Sequence, residues 1–119
     1  SFIMKKFYTI LIDSSKQNQT TVTLQLGATE KKKTFVSERH TSQQVLPLLE
    51  TLLSENSLTF EDITGIDVDT GPGSFTGLRV GATIGNTLGL LLDIPVNGKK
   101  GIASIPLDYG VDRWKNDSD

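Results

Sequence analysis

Four glycines at a strict four-residue interval constrain the fold of this chain more than any other feature of its sequence. They are Gly77, Gly81, Gly85 and Gly89, and they directly follow the segment Thr-Gly-Pro-Gly-Ser-Phe-Thr. A four-residue step is close to one turn of an α-helix, so the glycines form a slowly drifting stripe along one side of a helix. Each glycine costs about 0.5–1 kcal/mol relative to alanine in a helix. The stripe therefore predicts a helix that recovers this energy through close backbone approach, either by another helix or by a sheet beneath it.

Composition limits the classes of protein to which this chain can belong. Its 119 residues fit one domain with a single core, and 36% hydrophobic and 22% charged residues are typical of a globular protein. The formal net charge of −2 gives no general electrostatic case for binding nucleic acid. Absence of cysteine excludes disulfides and thiolate chemistry, and His40 as the only histidine excludes a histidine-cluster metal site. The first residues lack a signal-peptide cleavage pattern, so we expect a cytoplasmic protein.

Glycines at four-residue spacing are also a signal for helix dimers in membranes, so the segment from Gly77 to Leu92 needs a separate test. It has 16 residues and contains Arg79 and Asn86. A bilayer span needs about 20 predominantly apolar residues. We therefore expect a helix of a soluble protein with no membrane partner.

Hydrophobic periodicity predicts an α/β fold with a mixed five-stranded sheet. The first three strands have short links, so we expect them to be antiparallel, and the last two follow helices, so we expect parallel pairing through right-handed crossovers. The predicted strands cover residues 7–12, 20–26, 31–36, 63–69 and 94–96. The first predicted helix follows a capping box at 41–44, with Thr41 as N-cap and apolar residues at helical spacing over 45–53, and the second covers 77–92.

The segments 13–15 and 71–77 are the candidates for a nucleotide site. An acid such as Asp13 at the end of a strand can hold a magnesium-bound nucleotide, but it can equally cap a turn. The glycine-rich segment precedes a helix N-terminus, where backbone amides attract anions, but it lacks the Gly-Lys-Ser/Thr ending of a Walker A motif. A tight turn is at least as good an interpretation. The candidate nucleotide-binding residues are Asp13, Ser14, Ser15, Gly73 and Ser74.

Three segments of the chain resemble the bacterial TsaB (YeaZ) family. They are Ile-Asp-Ser-Ser at 12–15, the stretch from His40 to Pro47, and above all Gly-Pro-Gly-Ser-Phe-Thr-Gly-Leu-Arg-Val-Gly at 71–81. The resemblance covers about residues 5–105 and implies the first lobe of the actin-like ATPase fold, which is an RNase H-like lobe. We accordingly predict a TsaB-like lobe over 4–106 and a polar, loosely ordered tail over 107–119, without the second lobe that family members usually have.

The resemblance implies a role in making N6-threonylcarbamoyladenosine at position 37 of tRNA. In that pathway the TsaB-like protein is not the catalyst: it binds the catalytic TsaD-like subunit through the helices of its first lobe, and a TsaE-like ATPase joins the assembly. The same surface lets TsaB-like proteins form homodimers when alone, and tRNA is reached only through the complex. The catalytic relative has a metal-binding histidine pair after the strand that matches 94–96, whereas residues 97–101 here contain no histidine.

Together, the resemblance and the stripe predict a non-catalytic interaction subunit. The predicted close-approach face for the partner is Gly77, Gly81, Gly85 and Gly89, with Leu49, Leu52 and Leu53 as weaker candidates. We expect no cofactor in the isolated chain, and ATP or ADP with Mg²⁺ only within a complex, because a lone lobe offers half of the nucleotide cleft. The rival hypothesis is a nucleotide-binding kinase or ATPase-like lobe that uses Asp13 and residues 71–76. A peptidase-like role has little support, since the chain has no cysteine and one histidine, and no clear base is paired with a nucleophile.

Overall fold

The fold is described from a computed structural model, for residues 7–16, 18–36, 42–73 and 75–100. Its elements follow the predicted order of three strands, a helix, a strand and a helix. They are β1 (Tyr8–Lys16), β2 (Gln19–Leu26), β3 (Thr29–Val36), α1 (Ser42–Glu55), a 3-10 helix (Phe60–Asp62), β4 (Gly65–Val68) and α2 (Phe75–Leu92). The predicted tail over 107–119 and both ends of the predicted 4–106 lobe lie outside the described residues.

The sheet is mixed, with the strand order β3-β2-β1-β4. β1, β2 and β3 form an antiparallel meander, and β4 pairs in parallel with β1. Both strand directions agree with the prediction, because short links produce antiparallel neighbours and a helical crossover returns the chain in parallel. β1 is an inner strand, as its apolar start suggests, but it continues through Ser14 to Lys16, where we expected a turn.

The predicted fifth strand over 94–96 is wrong for the described residues. Val96 pairs with β4 through an isolated parallel bridge to Ile66, made by the bonds from Ile66 N to Pro95 O (3.0 Å) and from Asn97 N to Ile66 O (2.8 Å). A second isolated bridge pairs Val96 with Lys99 in the antiparallel sense. Pro95 has no N–H to donate, and Asn97 at φ +50° and Gly98 at φ +81° turn the chain away. The described sheet therefore has four strands rather than five.

The Asn97 side chain continues the pairing that the backbone gives up. Its Nδ2 donates to Val68 O at 3.1 Å, and its Oδ1 accepts from Val68 N at 2.7 Å. A side-chain amide thus satisfies both edge groups of β4, which would otherwise need a strand or water. This contact fixes the segment after α2 against the sheet.

The core lies between the sheet and the two helices, which cover the same face. Alternate residues of β1 and β2, such as Ile10, Ile12, Val22 and Leu24, are buried on this face. In antiparallel register Ile10 is opposite Leu24 and Ile12 is opposite Val22, so the four side chains form one apolar layer. α1 and α2 complete the layer from above, with the apolar residues Val45, Leu49, Leu52, Leu53, Leu78 and Ile84.

Candidate functional site

The glycine stripe of α2 faces the chain's own sheet. A methyl group placed on Gly81 would lie 2.5 Å from Ser14 Oγ, and one on Gly85 would overlap Val68 Cγ2. At Gly89 the overlap would be with Val96 Cγ2, and the main-chain oxygen of Ile94 would be 3.2 Å away. The helix can approach the sheet this closely only because these positions have no Cβ.

Gly77 begins the stripe and makes a different contact. Its carbonyl oxygen accepts a hydrogen bond from Ser14 Oγ at 2.5 Å, and Ser14 is fully buried. The hydroxyl fixes the first turn of α2 over the carboxyl end of β1. Ser14 lies on the same face of β1 as Ile10 and Ile12, so the period-two alternation could have predicted its burial.

These contacts correct the predicted orientation of the stripe. We expected Gly77, Gly81, Gly85 and Gly89 to receive the backbone of a partner, but the structure places all four among buried residues of their own chain. Of the two interpretations that the sequence left open, the sheet beneath the helix is the one that the structure adopts. While α2 packs on the sheet, these glycines are covered by the chain itself.

The three leucines predicted as weaker partner contacts need the same correction. Leu49, Leu52 and Leu53 are exposed by at most 2% and belong to the core between α1 and the sheet. Their 3–4-residue spacing is that of an ordinary buried helix face. Leu46, which the prediction did not name, is 40% exposed on the same helix.

The outward face of α2 carries an apolar patch that the sequence reasoning missed. Its exposed residues at helical spacing include Thr83, Thr87, Leu90 and Leu91. Leu90 and Leu91 are 57% and 75% exposed, although leucine is ordinarily buried. Their position opposite the glycines identifies them as outward only once the stripe is known to face the sheet, since positions about half a turn away from a buried stripe face outward. We call these four residues the outer surface of α2.

The candidate nucleotide residues do meet at the carboxyl end of β1. Gly73 lies against Ser15, since a methyl group on it would be 2.5 Å from Ser15 O. Asp13 Oδ1 accepts from Ser15 N at 3.1 Å and from Ser15 Oγ at 2.6 Å, which is the geometry of a side-chain-capped turn. Ser74 lies outside the described residues.

The loop between β4 and α2 is held by a second capped turn. Asp69 Oδ1 accepts from Gly71 N at 2.9 Å, Gly71 has φ +104°, and the Gly71–Pro72 peptide is cis. The side chains of Asp13, Ser14, Ser15 and Asp69 therefore each form a hydrogen bond within the chain. Among the described residues no three histidine, cysteine, aspartate or glutamate side chains converge to hold a metal ion.

Neither helix of the described part of the chain combines the length and hydropathy needed to cross a bilayer. In α2 the apolar positions instead divide between a face on the sheet and the outer surface.

Comparison with known proteins gives a consistent family. The TsaD family model, described as tRNA N6-adenosine threonylcarbamoyltransferase, matches residues 33–102, which is more than half of the chain. The tRNA threonylcarbamoyladenosine biosynthesis protein TsaB of Bacillus subtilis is 33% identical over 60% of this chain and 31% of its own length. TsaB of Haemophilus influenzae is 30% identical over 78% of this chain and 39% of its own length.

Solved structures agree with the sequence matches. YeaZ from Pseudomonas aeruginosa aligns with a TM-score of 0.70 and 27% identity, over 76% of this chain and 42% of that one. A second structure, titled as an uncharacterized protein with similarity to peptidase YeaZ from Pseudomonas aeruginosa, aligns equally well. The chain thus spans less than half of the length of each of these relatives.

Proposed function

Because the chain belongs to the TsaB (YeaZ) family, we propose that it acts in tRNA threonylcarbamoyladenosine biosynthesis as a non-catalytic interaction subunit. It binds a TsaD-like catalytic subunit through the outward sides of α1 and α2, and it pairs with a second copy of itself when alone. A TsaE-like ATPase and tRNA join only in the assembled complex, in the cytoplasm.

The exposed apolar end of α2 carries this proposal. Leu90 and Leu91 offer adjacent apolar side chains to solvent, and Thr83 and Thr87 extend the same face with shorter ones. Exposed apolar patches of this kind mark surfaces that bind other proteins. The short threonine side chains leave room for a partner helix along the rest of the face. The glycine stripe contributes to partner binding indirectly, since it allows α2 to pack closely on the sheet and so fixes the position of the outer surface.

The hydrogen bonding at the end of β1 supports a non-catalytic role. The hydroxyl of Ser14 is buried in a bond to the helix, and that of Ser15 donates to Asp13. Both hydroxyls therefore have structural partners: Ser14 holds the first turn of α2, and Ser15 completes the side-chain-capped turn at Asp13. The residues 97–100 after the bridge contribute an amide and two lysines rather than metal ligands.

Charge substitution on the outer surface tests the proposal. Leu91→Glu places a carboxylate in the apolar patch, so we expect self-association and capture of a TsaD-like protein to weaken by at least about tenfold, since one desolvated charge costs more than about 1.4 kcal/mol. Multi-angle light scattering measures the mass, and a pull-down with purified TsaD-like protein measures the capture. Val36→Glu is the matched control, because Val36 of β3 is similarly exposed at 71% but lies away from α2. Unchanged mass and unchanged capture for Leu91→Glu would contradict the proposed surface.

One observation favours the alternative of a nucleotide-binding ATPase-like lobe. Gly73 and the turn at Asp13 lie together near the start of α2, and helix N-termini are places where proteins commonly bind phosphate. Calorimetry with Mg-ATP separates the two functions. Micromolar binding by the isolated chain, abolished in Asp13→Asn, would favour the ATPase-like lobe. Binding only in the presence of the TsaD-like protein would favour the interaction subunit.

A further inference from the structure

A groove between the end of α1 and the following segment is lined by none of the residues that form the outer surface of α2. It encloses about 330 Å³, with Glu50, Leu53 and Ser54 of α1 on one side and residues 58–61 on the other. This volume is at the lower end of the range for sites that bind small ligands or single side chains.

Backbone hydrogen bonds fix both sides of the groove. α1 ends with Ser57 at φ +59°, and Leu58 N donates to Leu53 O at 2.9 Å, so the chain reverses directly at the helix end. This is the Schellman arrangement, in which an apolar residue after the cap packs on the last turn. Thr59 N then donates to Asp62 Oδ2 at 2.8 Å, which fixes the start of the 3-10 helix. The groove is preformed, so a ligand would not have to order it.

The lining combines an apolar floor with an acidic rim. Leu53 is buried, and Leu58 and Phe60 are half-buried, so together they offer an aliphatic and aromatic surface. Glu50 and Glu61 are exposed at the rim, and Glu61 is oriented by a hydrogen bond from Thr59 Oγ1 at 2.9 Å. Neither glutamate forms a salt bridge with any residue that the structure describes, whereas neighbouring Glu55 pairs with Lys33 at 3.0 Å.

We infer that this groove receives an arginine side chain from a partner protein. An arginine has an aliphatic stem that packs on apolar surface while its charged end stays at the rim. Its planar guanidinium binds carboxylates through directed hydrogen bonds and stacks on an aromatic ring such as that of Phe60. The two acidic side chains repel phosphate, so the charge of the groove selects a protein segment and excludes a nucleic-acid backbone.

A titration with single side-chain analogues tests the inference without any partner of the proposed function, so the two can fail separately. The probe is N-acetyl-arginine amide, and its neutral isostere N-acetyl-citrulline amide is the comparison. We expect the arginine compound to shift the backbone amide signals of residues 53–54 and 58–62 in ¹H–¹⁵N spectra of the full chain. The citrulline compound should bind at least about tenfold more weakly, because it lacks the charge-assisted hydrogen bonds.

Substitution of the two rim glutamates tests whether the arginine compound binds in the groove. Glu50→Gln combined with Glu61→Gln should reduce the arginine-induced shifts to those of the citrulline compound, and the unperturbed part of the spectrum reports that the fold is intact. Glu30→Gln is the matched control, because Glu30 is an exposed glutamate of β3, where its Oε2 accepts from Gln25 Nε2 at 3.0 Å. Equal shifts with arginine and citrulline, shifts elsewhere on the surface, or full binding by the double variant would each overturn the inference.

Discussion

α1 and α2 pack on the same face of one sheet, but they fill the space beneath them in opposite ways. α1 supplies the side chains itself, through Leu49, Leu52 and Leu53. Along its stripe α2 supplies glycines, and there the side chains come from the other side of the contact, where Val68 and Val96 reach the helix backbone. Leu78 and Ile84 of α2 are buried beside the stripe. Both arrangements exclude water and reach close packing, as protein interiors require. A glycine stripe therefore indicates that other atoms approach the helix backbone closely, but not whether those atoms belong to the same chain or to a partner.

The largest expected effect distinguishes these two kinds of packing. Gly85→Leu puts a branched side chain where even a Cβ would overlap Val68 Cγ2, with Ile66 Cγ2 and Val96 Cγ1 each 3.7 Å away. We expect the free energy of unfolding to fall by about 3 kcal/mol or more, because α2 would have to lift from the sheet. Urea denaturation followed by circular dichroism measures it. If the stripe faced a partner instead, the variant would fold as stably as the parent chain.

A double-mutant cycle sharpens the same comparison. Gly85→Ala alone should destabilise the chain although alanine is the better helix former, and Val68→Ala alone should leave a cavity. Combined, the two changes should cost less than their sum, because the new methyl group occupies space that the valine vacates. Additive free energies would show that Gly85 and Val68 do not share the space that the structure assigns to them.

The sequence was sufficient to predict the three-stranded meander, both helices and the strand between them, but it could not predict which way α2 turns. The four-residue spacing identifies the helix, and the short links identify the antiparallel meander. The orientation of the glycines depends on the size of the facing side chains of β4 and Val96, and a helical pattern contains no information about its neighbours. The exposure of Leu90 and Leu91 could not be predicted, because apolar side chains fit a buried face equally well.

The site and the sheet edge were harder to predict for a related reason. Ser14 is typical of turns, so its burial depends on the strand register rather than on its own propensity. Residues 94–96 fit a strand by composition, but only Val96 pairs with β4, because Pro95 has no N–H and the chain turns at Asn97. The Asn97 side chain forms the hydrogen bonds that a strand backbone would otherwise form, and a single such residue produces no periodic pattern in the sequence.

The next largest effect on stability is expected at the side-chain amide of Asn97. Asn97→Gly keeps the positive φ accessible but removes both hydrogen bonds to Val68, so we expect a loss of about 1–3 kcal/mol. Asn97→Ala should cost about 1 kcal/mol more, because alanine disfavours the left-handed region that asparagine tolerates. Thermal and urea unfolding of both variants measure the difference. An Asn97→Gly chain as stable as the parent would mean that water satisfies the edge of β4 without the amide.

The smallest expected effect comes from the other side of α2. Thr83 is exposed and lies about 200° around the helix from Gly85, so it faces away from the sheet. Thr83→Leu introduces the same side chain as Gly85→Leu only two positions away, and leucine is a better helix former than threonine. We expect the free energy of unfolding to change by no more than about 0.5 kcal/mol, because the new side chain meets solvent. Urea denaturation of the two leucine variants in parallel gives the ratio of the effects on the two sides of one helix. A large loss for Thr83→Leu would place this position in the core and remove the outer surface on which the proposed partner binding depends.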